Sequence, residues 1–254
     1  MLTVDINCDM GEGIGNDEAI MPFISSANIA CGYHAGDEVT MRQTIELARK
    51  YNVAIGAHPS FFDKKNFGRV EMNLPVDEIY DLVILQLRTI EKIITEKNAQ
   101  LHHVKPHGAL YNMSARDRRI AQAIAQAVKD FDDSLILFVL SGSDSKNIAD
   151  DLGLKTASEV FADRTYQDNG SLTPRSQPGA LIEDEGHAIG QALQMIKDKS
   201  VTTITGKTIS IVADTICIHG DGKYASQFAK AINEKLTSED IQIKSLTGSH
   251  DTED

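Results

Sequence analysis

VDINCDMGEG, residues 4–13, begins as a β-branched apolar run and ends abruptly in acids and glycines. The same order returns in NIACGYHAGD (28–37), VAIGAHP (53–59), HHVKPHGALYN (102–112), EVFADR (159–164) and ICIHGDG (216–222). In each, a short strand-like stretch gives way to Asp, Glu, His, Lys or Gly. Polar ends from such distant segments converge only if the strands run parallel and their C-terminal tips share one rim, which is the geometry of an α/β-barrel active site.

Helical stripes separate these runs. Ile79, Val83, Leu87, Ile90 and Ile94 recur every three or four residues, and Asp77 and Glu78 favour the positive end of the helix they open. Ser114 with Asp117 reads as a capping box ahead of Ile120, Ile124, Val128 and Phe131. Shorter stripes run through Met41, Ile45 and Ala48, through Ile189, Leu193 and Ile196, and through Phe228, Ile232 and Leu236. LTVDIN, VAIGA, SLILFVL and ISIVADTICI each read as one strand buried on both faces. Strand and helix in alternation define the α/β class, here a parallel (β/α) barrel of seven or eight strands. With no linker to divide the chain, residues 1–246 are expected to form a single domain, and TGSHDTED (247–254), lacking an apolar anchor, a disordered tail.

Composition narrows the function. A formal net charge of -12 opposes nonspecific nucleic-acid binding, which needs clustered Lys and Arg. No apolar stretch approaches the roughly 20 residues that cross a bilayer, so no membrane partner is expected. Cys8, Cys31 and Cys217 are odd in number and far apart, unlike a secreted disulfide framework, and the N-terminus does not read as a signal peptide. Both point to a cytoplasmic protein acting on a small-molecule substrate.

Two nucleotide motifs fail. Gly206, Lys207 and Thr208 match the end of a phosphate loop, but Val201 stands where its first glycine belongs, and the segment reads as a turn before a strand. GDGKYA (220–225) fits a dinucleotide fingerprint in form, yet the next strand, Ile241 to Leu246, ends without an acid for the ribose. The helix start after His219 remains suited to an anion.

The residues that can carry chemistry lie at the strand ends. Asp5 and Asn7 share one side-chain direction by strand alternation, so at least one faces the mouth. Asp9 and Glu12 follow beside Gly11 and Gly13, and could equally cap that turn. His34, His58, His107 and His219 each sit on a tight turn after a strand, suited to proton transfer or metal binding. His102, His103, His187 and His250 are assigned to structure or surface. Lys105, fixed by the following proline, can bind an anion or act as a base. Asp163, Arg164 and Arg175 form a fork for carboxylate or phosphate unless the first two simply pair with each other. Cys8 and Cys31 read as buried filling rather than as nucleophiles.

In family order, DINCDMGE, SSANIACGYHAGD, GAHPSFFDKKNFGR, HVKPHGALYN, EVFADRTY, LTPR and ICIHGD resemble the LamB/YcsF family over nearly the whole chain. The chain departs from that pattern at Ser60, Val70 and Glu38. The resemblance implies a seven-stranded barrel related to polysaccharide deacetylases. It also implies the A component of an ATP-dependent 5-oxoprolinase, opening 5-oxo-L-proline to L-glutamate with partner subunits B and C, with ATP as cosubstrate. On that basis Asp9, Glu12, His34, His58, Lys105 and His107 are the catalytic candidates, with a divalent metal as a further element of the centre. Asn7, Asp37, Arg69, Asp163, Arg164, Arg175, His219, Gly220 and Asp221 are the candidates for holding substrate or phosphate. Two rivals stand beside this reading: a metal-dependent amide hydrolase or deacetylase acting alone, and a non-catalytic metabolite-binding module.

Overall fold

The computed structural model describes residues 1–220 and 225–247. Its chain runs β1 (Leu2–Met10), α1 (Asp17–Ile20), β2 (Ser26–Ala30), α2 (Glu38–Tyr51), β3 (Ala54–His58), α3 (Val76–Glu96) and β4 (Leu101–Val104). It continues through α4 (Gly108–Ser114), α5 (Arg118–Phe131), β5 (Ile136–Leu140), α6 (Ser145–Asp151), β6 (Lys155–Phe161) and α7 (Glu185–Lys197). The last elements are β7 (Ser200–Thr202), β8 (Thr208–Ser210), β9 (Thr215–Ile218), α8 (Ala225–Ser238) and β10 (Ile241–Ile243). Strands β1 to β6 pair in sequence, β6 pairs with β9, and β9 returns to β1, closing a ring of seven parallel strands. β10 adds in parallel to the start of β1, from Leu2↔Ile241 to Val4↔Ile243. Beyond it, Leu246 packs on Ile136, Phe138 and Ala157, and its carbonyl accepts from His102, so this segment covers the N-terminal end of the barrel.

Alternation along β1 explains both the core and the site. Val4, Ile6, Cys8 and Met10 are buried in the apolar layer shared with the helices, while Asp5, Asn7 and Asp9 bond to other strands across the barrel interior. α3 shows what holds the outer layer together. Its stripe of Ile79, Val83, Leu87, Ile90 and Ile94 is fully buried, and each such side chain contributes about 1.5–3 kcal/mol by leaving water.

Two expectations need correction. ISIVADTICI (209–218) is two strands rather than one: Thr208–Ser210 folds back antiparallel on β7, and only Thr215–Ile218 enters the barrel. Asp214 makes the break, its carboxylate accepting from Ser158 N at 2.8 Å, which pins the chain beside β6 before β9 begins. The Gly206-Lys207-Thr208 triplet spans the turn and first residue of that hairpin, with Gly206 at φ +86°. The expected capping box is absent as well. Ser114 ends α4 and donates to Tyr111 O, whereas Asp117 itself caps α5 by accepting from Arg119 N at 2.9 Å. The expected tail lies outside the described residues from 248 onward, as does His250.

Candidate functional site

At the C-terminal rim the end of β3 and three loops bring His58 together with Glu12, His34 and His107, with ligand-type atoms all within 4.8 Å of one another. His34 and His107 stack, ring centroids 3.8 Å apart and planes 5° from parallel. Close backbone approach makes this possible. At Gly68, φ is +64°, and a Cβ would lie 2.8 Å from His34 Cβ and 2.9 Å from His107 Cδ2. The loop carrying Ser60 is tied to α3 by the buried Gln86, which accepts from Ser60 N at 2.9 Å and donates to Ser60 O at 2.8 Å.

The hydrogen bonds of these rings fix where their protons sit. His58 Nδ1 lies 2.7 Å from Lys105 O, and His107 Nε2 lies 2.9 Å from Phe67 O. Carbonyl oxygens only accept, so each neutral ring carries its proton on that nitrogen. The remaining nitrogens, His58 Nε2 and His107 Nδ1, then face each other at 2.9 Å with a lone pair on each. Glu12 Oε1 lies 3.7 Å from His107 Nδ1 and 3.1 Å from His34 Nε2, and Asp9 Oδ2 lies 3.3 Å from His58 Nε2. His34 Nε2–H can donate to Glu12, but around His58 Nε2 and His107 Nδ1 electron pairs converge with no proton between them, an arrangement completed by a cation. Imidazole nitrogens with carboxylate oxygens form a donor set suited to a divalent transition metal. Burial pushes His34 down to about 2, helped by His58, and holds His107 well below the ordinary histidine value, so both stay neutral and able to ligate.

A second group adjoins the first. Lys105 Nζ lies 2.8 Å from Asp9 Oδ1, 2.9 Å from Glu159 Oε1, 3.0 Å from Cys217 Sγ and 3.3 Å from Asn7 Oδ1. Its three N–H bonds are therefore committed to protein acceptors. Burial alone would lower the Lys105 value, but the Asp9 and Glu159 carboxylates outweigh it and hold the ammonium charged, which argues against the base role open to it on sequence grounds. Asp9 shows the mirror effect: burial raises it, yet the adjoining Lys105 ammonium helps to bring it well below the usual carboxylate range. Asp9, Cys217 and His219 also cluster, but the ammonium already supplies the positive charge there.

The cleft over this centre encloses about 730 Å³ and includes Asp9, His58, Lys105, His107, Arg164 and His219 in its wall. Arg69 and Arg175 line it too, Arg69 lying over the Phe67 ring at 4.8 Å from the centroid. Asp163 and Arg164 do not pair with each other. Asp163 Oδ1 and Oδ2 both lie 2.9 Å from His219 Nδ1, while Arg164 donates to Thr173 O at 2.6 Å and Ala180 O at 3.2 Å. Burial brings the Arg164 guanidinium down to about 10. Asn7 is fully buried beneath Lys105, and Gly220 packs so closely that a Cβ there would meet Asp9 O at 2.6 Å. Asp37 stands apart from the cleft: it caps α2 at an exposed position, accepting from Thr40 N at 2.8 Å. Asp221 lies outside the described residues.

Sequence reasoning missed Glu159, Tyr111, Asn28 and Cys217 as parts of the centre. Glu159 sits in the quoted EVFADR run and is fully buried against Lys105. Tyr111 lines the cleft, its phenol raised well above the ordinary value by burial and by the Glu159 charge. Asn28 donates to Asp9 Oδ1 at 2.9 Å. The three cysteines are free and buried; burial pushes the Cys31 thiol up to about 12 and raises Cys8 and Cys217 well above the usual thiol value, in keeping with the filling role read for Cys8 and Cys31.

Fold and site together define a closed (β/α)-barrel protein with an imidazole–carboxylate centre at its C-terminal rim. The chain belongs to the LamB/YcsF family, whose sequence pattern matches residues 4–251. Among its relatives, the 5-oxoprolinase A subunit of Staphylococcus carnosus is 52% identical over 252 residues, covering 97% of this chain and 100% of the relative. The protein of the same name from Geobacillus thermodenitrificans is 49% identical over 250 residues, covering 97% and 98%. The crystal structure of the lactam utilization protein from Thermus thermophilus superposes with a TM-score of 0.90 at 40% identity, covering 96% of this chain and 100% of that one. A family 4 carbohydrate esterase from Streptomyces lividans shares the fold alone, with a TM-score of 0.52 at 9% identity over 96% and 93% of the two chains. Family and seven-stranded barrel are thus as the motifs implied.

Proposed function

We propose that this chain opens the lactam ring of 5-oxo-L-proline to give L-glutamate, as the A component of an ATP-dependent 5-oxoprolinase working with subunits B and C. The names of its relatives support the substrate, and the converging lone pairs of His58 and His107 carry the chemistry. A lactam is a poor electrophile, and ATP makes it a better one if the amide oxygen is phosphorylated. Water then adds to the ring carbon, the C–N bond breaks as nitrogen takes up a proton, and the resulting acyl phosphate is hydrolysed by a second water to carboxylate and phosphate.

This chain's part is the hydrolytic half. Its described residues include no phosphate loop, so the phosphoryl step falls to the partners, and the cytoplasm supplies the ATP. Glu12, His34, His58 and His107, with Asp9 beside them, would hold a divalent metal, which when bound lowers the pKa of a water and polarises a carbonyl. The Glu12 carboxylate, which keeps a second oxygen when one is given to the metal, is placed to take a proton from the attacking water. Lys105 does not reach out to the substrate; it holds Asp9 ionised and offsets negative charge as it develops. Arg69, Arg164, Arg175 and His219 line the wall where the substrate's anionic groups would lie.

The test is reconstitution. This chain, subunits B and C, 5-oxoproline and ATP are mixed, and glutamate is measured with each component omitted in turn. Glutamate formation that needs this chain supports the reading; formation unaffected by leaving it out ends it. The lone-pair geometry also keeps a second reading in view, a metal-dependent amide hydrolase acting alone, which predicts amide cleavage by the metal-loaded chain without nucleotide.

A further inference from the structure

The barrel interior beneath the centre is polar, and its hydrogen bonds all run one way. His103 Nε2–H donates to Asn28 Oδ1 at 2.8 Å, Asn28 Nδ2–H to Asn7 Oδ1 at 2.7 Å, Asn7 Nδ2–H to Thr215 Oγ1 at 2.7 Å, and Thr215 Oγ1–H to Asp5 Oδ2 at 2.5 Å. Asp5 Oδ1 accepts from Ser25 at 2.6 Å and from Ser26 at 2.7 Å. All five residues of the column are fully buried.

The direction follows from the end. Burial raises the Asp5 carboxyl, and the hydroxyls of Ser25, Thr215 and Ser26 oppose that by donating to it. The Thr215 oxygen is then left to accept, which turns the Asn7 amide so that Nδ2 faces Thr215 and Oδ1 faces Asn28 and the Lys105 ammonium. Asn28 is turned in the same sense. Its Nδ2 therefore also reaches Asp9 Oδ1, at 2.9 Å. Reversing any amide would set two donors or two acceptors against each other in a buried place, which is costly.

We propose that Asp5 and Thr215 are positioning residues for the centre: together with Lys105, which donates to the same Asn7 Oδ1, they fix the direction of this column and with it the N–H that Asn28 presents to Asp9 Oδ1. With Oδ1 held by Asn28 and Lys105, Oδ2 is the oxygen left facing His58. Asp5 and Asp9 are four residues apart on one strand, so the influence spans about 13 Å. The kinetic part of this inference rests on the proposed 5-oxoprolinase reading; the amide orientations do not.

The experiment uses Thr215→Val, which keeps the shape and removes the hydroxyl, Thr215→Ser, which restores it, and Asp5→Asn, which places a donor at the column's end. Turnover is measured in the complex with subunits B and C, and the Asn7 and Asn28 side-chain amide signals by proton–nitrogen NMR on the chain. Thr215→Val and Asp5→Asn are expected to shift both amide signals and to lower kcat about 10- to 100-fold, as losses of supporting hydrogen bonds do, with KM for the lactam within about twofold. Thr215→Ser should return both readouts to wild type. Unmoved amide signals in Thr215→Val and Asp5→Asn, unchanged kcat, or an equal kcat loss in Thr215→Ser would each overturn the proposal. If either variant fails to fold, the other decides. A wild-type complex without lactam-dependent turnover sinks the functional reading instead, and the amide signals still test the column.

Discussion

The inside of the barrel and the layer between its strands and helices are built from alternate residues of the same strands, yet they differ in kind. In β1, Val4, Ile6, Cys8 and Met10 enter a nondirectional apolar layer, while Asp5, Asn7 and Asp9 enter a network in which every partner is specified. The first tolerates exchange of similar volumes; the second tolerates almost none, because a buried polar group without its partner costs about 1–3 kcal/mol. Stability is thus concentrated outside the barrel and orientation inside it.

Substitution on each side should separate these roles. Leu87→Ala empties part of the outer layer and should cost about 2–5 kcal/mol by denaturant unfolding, with turnover per folded molecule unchanged. A matching loss of turnover would blur the division. Gly68→Ala acts where the rim loops meet and forces a Cβ to within 2.3 Å of Ser60 Oγ, displacing His34 and His107. Misplacement on that scale should lower turnover by about 10²-fold. A near-normal rate would mean that the ring stacking is not needed.

Acid should act through the interior. Burial depresses His34 to about 2 and His103 well below its ordinary value, so as pH falls below about 6.5 the unfolded chain takes up protons that the folded chain refuses. Stability is complete above that value and drains away beneath it, by up to about 1.4 kcal/mol per pH unit for each such histidine. His103→Gln should flatten the dependence between pH 7.5 and 5.5 in urea unfolding; an unchanged slope would sink the assignment. The smallest effect belongs to the exposed surface. Asp37→Ala should lower the urea midpoint slightly through the lost helix cap and leave lactam turnover untouched, against the substrate-binding role expected for it on sequence grounds.

What the sequence revealed divides along the same line. The α3 stripe and the apolar-then-polar strand ends were legible because helix and strand periods are local, and they led to the barrel and to Asp9, Glu12, His34, His58 and His107. Contacts that depend on distant partners were not. Asn7 meets Thr215 across 208 residues, so the column could not be read from either end. Glu159 precedes Val160 and Phe161 and reads as an ordinary strand residue until Lys105 arrives from just beyond β4. Gln86 and Gln191 were hidden within helical patterns, although each fixes a rim loop, Gln191 by donating to Phe161 O at 2.9 Å and Arg164 O at 2.8 Å. The boundary before β9 was masked by unbroken β-branched residues on either side of Asp214.

If the imidazole–carboxylate centre at the rim performs the hydrolysis, His107→Ala must disable it. Glutamate release from 5-oxoproline and ATP is measured with subunits B and C at equal concentrations of folded wild-type and variant chain. A fall of about 10²- to 10⁴-fold is predicted, the usual size of a lost acid–base or ligand group. A rate equal to wild type would contradict the account.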